Sequence, residues 1–412
     1  MTRAASGVVW VGPGYDRGGY GAVTRNYVRG LARAGYPVRL LPTGPRNPEV
    51  GAEVMQELRS LERAPVGSAP AIVIHATPEL FRIAPRLGFV RRIGCTIFET
   101  DGLPPRWVDM CNAMDEVWVP SHFNLETFAA AGVDPHRLAV IPYGIDVAAY
   151  SPSSDRRAES PFTFLYVCEF NWRKGLDLLL ESFINEFEPG EARLVMRVFS
   201  NGHQGVAAGE VERVLYESVQ GRLERPPDQR PEVKVITHAQ SPAELKRLYE
   251  TASLYISTDR ANGWGVPCQE AMALGIPAAT INWSGSTEFM REGNSLLIQP
   301  EDELVPVDPR LVHAVPALYS GQRWPRVETA EVRRVMRWAV EHPEGLRAIA
   351  EAGARHVRQV LDLDVVARRV VERLSVTSPS RVQRASSAAR LYQPWITTMW
   401  TGRRILRALG RK

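Results

Sequence analysis

Short apolar runs rich in valine and isoleucine alternate along this chain with stretches whose apolar positions recur at helical spacing. That alternation predicts parallel sheets built from strand–helix–strand units. In the first half the predicted strands are Val8–Val11, Val38–Leu41, Ala71–Ile74, Ile93–Phe98, Glu116–Val119 and Leu138–Ile141. The first helix carries Val23, Tyr27, Val28 and Leu31 on one face, and Gly35 sits where a left-handed cap would end it. The polar, aperiodic stretch Asp146–Pro161 reads as a linker. A second series follows, with strands Phe162–Val167, Leu194–Phe199, Val233–Ile236, Leu254–Ser257, Pro277–Ile281 and Ser295–Ile298. Ser241-Pro242-Ala243-Glu244 opens one of its helices as a capping box. Beyond Pro309 the pattern is helical to about residue 375. These signals predict two Rossmann-like, doubly wound α/β domains facing across a cleft, over residues 1–150 and 151–375, followed by a C-terminal segment 376–412.

A chain of 412 residues is long enough for two such domains, and its 44% hydrophobic and 23% charged shares exclude a disordered or fibrous class. The four cysteines, at 95, 111, 168 and 268, form no C-x-x-C pair and suit a reducing compartment. No signal core follows the N-terminus, and no apolar run reaches the roughly 18 residues that cross a bilayer, so a cytoplasmic location is expected. Of the net charge of +4, residues 381–412 alone supply +8, leaving an acidic body unlike that of a nucleic-acid binder. In that tail Trp395, Ile396, Met399, Trp400, Leu406 and Leu409 fall on one stripe, with Arg403, Arg404, Arg407 and Arg411 mostly elsewhere. Two readings stay open: peripheral contact with an anionic membrane at its inner face, or a return to the first domain through Leu391–Trp395.

Open parallel sheets bind ligands beyond the carboxyl ends of their strands, which directs attention to three loops. The first, Gly12-Pro13-Gly14-Tyr15-Asp16-Arg17-Gly18-Gly19-Tyr20-Gly21, would let backbone amides and a helix N-terminus approach an anion, or be a plain surface loop. It misses the dinucleotide fingerprint at Arg17, and no acid closes the second strand. In the second, Asn171-Trp172-Arg173-Lys174-Gly175, adjacent cations suit a diphosphate, or are two solvated charges before a helix. Only four lysines stand among 46 arginines, which hints at a positional demand on Lys174. The third runs from Asn262 to Pro277. Pro267 is placed to start a helix and Glu270 to lie in its first turn, where the dipole alone would favour it; its two oxygens could equally accept from vicinal ribose hydroxyls.

The last two loops, together with Val140-Ile141-Pro142-Tyr143-Gly144-Ile145-Asp146, resemble the retaining nucleotide-sugar glycosyltransferases of family 4 (group 1 glycosyl transferases, GT-B fold), in order and over roughly residues 8–300. The resemblance implies that Gly18 and Gly19 approach the donor diphosphate and the acceptor, which places the acceptor on the side of the first domain, and that Lys174 neutralises the diphosphate. Arg173 would substitute for a family arginine, since the usual Gly-Arg pair is Cys168-Glu169 here. It implies further that Glu270 holds the ribose, that backbone amides of Gly285-Ser286-Thr287 meet the sugar, and that the backbone around His238 helps choose the base. Asn262, beside Gly263, takes the place of the family's first glutamate, and Glu99 stands near the place of a family histidine, assigned here to sugar or acceptor.

The implied function is retaining, metal-independent transfer of a hexosyl group from a UDP- or GDP-sugar to a hydroxyl acceptor. No separate cofactor is expected: the eight histidines are dispersed without H-E-x-x-H, and Asp362-Leu363-Asp364 lies in a helical stretch. The alternatives are a phosphorylase and, because Asn262 carries no charge, a catalytically weak sugar-nucleotide-binding protein.

Overall fold

The computed structural model describes residues 5–47, 50–84, 88–152, 160–199 and 207–376. The valine- and isoleucine-rich runs of the inner strands are buried on both faces, as strands covered by helices on either side must be, and with part-exposed edge strands they form two six-stranded parallel sheets. The first comprises β1 (Val8–Gly12), β2 (Val38–Pro42), β3 (Ala71–His75), β4 (Arg92–Cys95), β5 (Glu116–Val119) and β6 (Leu138–Val140), in the order β2-β1-β3-β4-β5-β6. The second comprises β7 (Phe162–Glu169), β8 (Ala192–Phe199), β9 (Glu232–Ile236), β10 (Leu254–Ser257), β11 (Ala278–Ile281) and β12 (Leu296–Ile298), in the order β12-β11-β10-β7-β8-β9. Each predicted strand is present, with ends moved by a few residues. Gly35 is left-handed at φ +69°, and the Ser241–Glu244 capping box is complete.

One element departs from the sequence reading. A short antiparallel pair, β13 (Leu304–Pro306) and β14 (Arg323–Pro325), interrupts the region predicted as helical. Three-residue strands are too short to leave a periodic trace, and β14 carries a proline. The chain also contacts the first domain before residue 376. Helix Leu363–Ser375 packs on helix Gly19–Arg33: a Cβ on Gly30 would stand 3.1 Å from both Ala367 and Leu363. Ile145 donates to the Leu361 carbonyl at 2.8 Å and accepts from Leu363 at 2.9 Å. Deeper in, the buried Glu116 carboxylate is neutralised by Arg91 at 3.2 Å and by Arg373. Residues 361–375 thus already contact the first domain, and the return expected through Leu391–Trp395 lies outside the described residues. The tail 377–412, with its proposed membrane stripe, lies outside the described residues.

Asp146 fixes the start of the interdomain connection. Its carboxylate is 2.7 Å from Arg33 and 3.6 Å from Arg29. Burial pushes its pKa up, but the two guanidiniums outweigh that and hold it below the ordinary aspartate value. A depressed carboxylate contributes stability that is complete above the unfolded pKa and is lost as pH falls through the folded one. Melting temperatures from neutral pH down to about pH 2 should therefore show a loss in the parent protein that Asp146→Asn has already taken at neutral pH.

Candidate functional site

The strand order of the second sheet reverses between β7 and β10, and such a reversal opens a crevice at the strands' carboxyl ends. The loops after these two strands carry the strongest sequence signals. After β7 the backbone makes a single tight turn, Trp172–Lys174, and then passes through Gly175 at φ +60° into helix Leu176–Glu186. A side chain at 175 would collide with the Thr258 carbonyl, 2.1 Å from an added Cβ, so the two loops are pressed together.

Both predicted cations sit at this crevice, and each is paired. Lys174 Nζ donates to Asp259 at 2.7 Å, and the Tyr166 hydroxyl bonds both Asp259 and the Lys174 carbonyl. Arg173 Nε lies 2.9 Å from Glu99 of the first domain, and its Nη1 donates to the Ala261 carbonyl at 2.8 Å. Burial works against the Arg173 charge, but Glu99 foremost, then Tyr319 and Asp259, hold its pKa above the ordinary value. Glu99, assigned from sequence to sugar or acceptor, is here the counter-ion of Arg173. It also accepts from Tyr319 at 2.6 Å, and its carbonyl accepts from Ser284 at 2.9 Å. The residues after it continue the contact: Thr100 bonds Gln322 at 3.1 Å, and Asp101 pairs with Arg323 at 2.8 Å.

Glu270 departs from its expected setting. Helix Val266–Ala273 begins early enough that its first turn holds no acid, so the dipole does not explain this carboxylate. Its oxygens accept instead from Tyr150 at 2.6 Å and Tyr249 at 2.9 Å. Burial raises the Glu270 pKa, while the two hydroxyls and Arg25 pull it down by less. Each carboxylate oxygen has two acceptor sites, so both can accept a further donor.

Asn262 and Gly263 run against Ser284 and Gly285. The Asn262 carbonyl accepts from the Gly285 amide at 2.8 Å and from Ser284 Oγ at 2.9 Å. A Cβ on Gly285 would stand 1.7 Å from the Gly263 carbonyl, and one on Gly263 would stand 2.6 Å from Ile97 of the first domain. Ser284 takes φ +72°, a conformation costing about 1–3 kcal/mol that hydrogen bonds to both domains sustain. Two of the amides expected to meet the sugar are already engaged, Gly285 with Asn262 and Thr287 with the Ser284 carbonyl. Gly285→Ala should therefore lower the melting temperature and abolish nucleotide binding together, which thermal scans with and without UDP would read; a variant that melts and binds like the parent contradicts this packing.

Across the crevice, Gly18 and Gly19 open helix Gly19–Arg33, and a Cβ on Gly19 would lie 4.0 Å from Val266. Arg17 reaches the Gln240 carbonyl at 3.4 Å, bringing the glycine-rich loop to the loop that carries the exposed His238. Glu288 crosses in the other direction to the His122 amide at 2.8 Å, at the start of helix His122–Ala130. The sequence reading missed Asp259, Tyr150, Tyr249, Tyr319 and Ser284. Asp259 had a legible signal, an acid just past the end of a strand; the others come into place from remote segments. Among the described residues no group of three or more His, Cys, Asp or Glu could hold a metal, and no helix is long and apolar enough to cross a membrane.

Comparison with known proteins places this architecture. The family model described as Glycosyl transferases group 1 matches residues 161–306, which form most of the second domain. A phosphatidylinositol N-acetylglucosaminyltransferase subunit from Arabidopsis thaliana is 22% identical over 209 residues, covering 50% of this chain and 43% of that protein. The chain aligns with less than half the length of the curated relatives it matches. Among solved structures, Anabaena Alr3699/HepE in complex with UDP and glucose superposes with a TM-score of 0.61 at 14% identity, over 89% of this chain and 99% of that one. Sucrose-phosphate synthase from Thermosynechococcus elongatus gives 0.62 at 14% identity, over 95% and 100%. Two Rossmann-like domains facing across a cleft in this way are the GT-B fold.

Proposed function

We propose that this chain transfers a hexosyl group from a nucleoside-diphosphate sugar to a hydroxyl acceptor, with retention at the anomeric carbon. The observation that carries the reading is the placement of Arg173 and Lys174, adjacent and largely buried, where the second sheet reverses its strand order. Fixed cations at that point stabilise the charge that grows on a departing diphosphate. The group 1 match over the second domain and the GT-B relatives solved with UDP support a nucleotide donor there. The donor's diphosphate takes over Arg173 from Glu99, and its ribose hydroxyls add to the acceptor sites of Glu270. The anomeric carbon then lies near Asn262 and the 285–287 turn. The bond from sugar to leaving phosphate breaks as the bond to the acceptor oxygen forms on the same face, and the leaving phosphate oxygen takes the acceptor's proton.

The second reading, a sugar-nucleotide-binding protein with weak catalysis, draws on Asn262 and on Glu99, which holds Arg173 through a pair a donor must displace. Calorimetry with UDP- and GDP-sugars, followed by proton NMR of the first product formed, separates the two. Transfer with the donor's anomeric configuration kept is the result expected; inversion overturns retention, and binding with neither transfer nor hydrolysis favours the second reading.

A further inference from the structure

The first sheet also has a reversal point, between β1 and β3, and the donor chemistry leaves it unused. Trp10 lies on β1, His75 ends β3, and Thr96 follows β4 directly. Around the His75 ring lie Tyr20 at 5.0 Å, Tyr143 at 5.8 Å and Trp10 at 6.2 Å between ring centres. His75 Nδ1 is bonded to Thr24 at 2.8 Å, but its Nε2 has no partner among the described residues. Trp10 Nε1 and the Tyr143 hydroxyl are likewise without a partner, while the Tyr20 hydroxyl and Thr96 Oγ1 face each other without completing a normal hydrogen bond. Trp10, His75 and Thr96 are fully buried and Tyr143 is 4% exposed. An unpaired buried polar group costs about 1–3 kcal/mol, and three of them beside two incompletely bonded ones in one aromatic cluster are far from the usual rarity.

The chemistry of the cluster restricts what could satisfy it. Burial pushes the His75 imidazole down to about 3, so at neutral pH none of these five side chains is charged. Aromatic faces beside hydroxyl, indole and imidazole groups suit a ring with apolar faces and hydroxyl edges, whereas a phosphate would find no cation among them. Tyr20 as a residue is part exposed while its hydroxyl is buried, and it follows Gly19 at the cleft, so it stands between this cluster and the glycine-rich loop.

We propose that the His75 cluster is the subsite for an uncharged, hydroxyl-bearing ring of the acceptor, a sugar or cyclitol, with Tyr20 as its movable wall. This rests on the reading of the chain as a sugar transferase. The test uses the UDP-bound full chain with methyl α-D-glucopyranoside and with myo-inositol as probes, read by saturation-transfer NMR. At least one probe binds the parent protein, and Tyr20→Phe and Thr96→Val each weaken it by about 3- to 10-fold. UDP affinity stays as in the parent, and the melting temperature without probe falls little, because the contact that each variant deletes, between the Tyr20 hydroxyl and Thr96 Oγ1, is not a complete hydrogen bond. Binding of neither probe, equal binding by parent and variants, or binding of glucose 6-phosphate without the neutral glucoside overturns the proposal. So does a probe-saturated crystal holding only water at Thr96 and His75. A chain that neither UDP nor GDP stabilises sinks the transferase reading instead, a separate result from the response of the probes to the two variants.

Discussion

Lys174→Ala lowers turnover by about 10²- to 10³-fold, the usual worth of a preorganised charge at a leaving group. The lysine is not a solvated charge before a helix. Its Nζ is 2.7 Å from the buried Asp259, which the Tyr166 hydroxyl also bonds, so the ammonium is aimed before any donor arrives. The same geometry gives the variant a second phenotype. Removing one partner of a buried pair strands the other, at about 3–5 kcal/mol, so the variant also melts earlier. Assays below its melting transition separate the two effects. A Lys174→Ala protein that is folded and turns over at the parent rate removes Lys174 from the mechanism.

Glu270→Gln weakens binding of UDP, or of GDP if that is the base, by about 10- to 100-fold, the range for hydrogen bonds to an ionised group. The ribose contact also makes a sharper prediction: the parent protein prefers the nucleotide to its 2′-deoxy form, and the variant discriminates between them far less. Tyr150 and Tyr249 orient this carboxylate from two separate segments, and burial raises its pKa. Nucleotide affinity therefore falls as pH drops through a value above the ordinary glutamate range. The stability effect has the opposite sign: the folded state holds the proton longer than the unfolded one, so stability from this group decreases as pH rises through that window. Equal discrimination in parent and variant would take the ribose away from Glu270.

The strands were legible in the sequence because burial on both faces demands unbroken apolar runs, and runs such as Ala71–Ile74 and Leu254–Ser257 have few other uses. Short-range chemistry was legible as well: Gly35, the Ser241 capping box and the turn ending at Gly175 are each specified within a few residues. Partners contributed by remote segments were not. Nothing near Arg173 in sequence announces that Glu99 neutralises it, and nothing near Glu270 announces Tyr150, 120 residues away. The placement of Glu270 in a first turn fails for a related reason. Pro267 reads as the first helical residue, but left-handed Gly265 starts the helix at Val266, and Glu270 falls beyond the first turn. β13 and β14 escaped because each is only three residues long, too short for a periodic trace, and they pair with each other across an intervening helical stretch.

A crystal structure of the chain soaked with UDP or GDP tests the central claim most directly. The account predicts the diphosphate between the 171–175 loop and the glycine-rich loop, within hydrogen-bond reach of Arg173 and Lys174, with Glu99 displaced from Arg173 and the ribose on Glu270. A nucleotide bound elsewhere, with the Arg173–Glu99 and Lys174–Asp259 pairs intact and Glu270 held only by its two tyrosines, would contradict it.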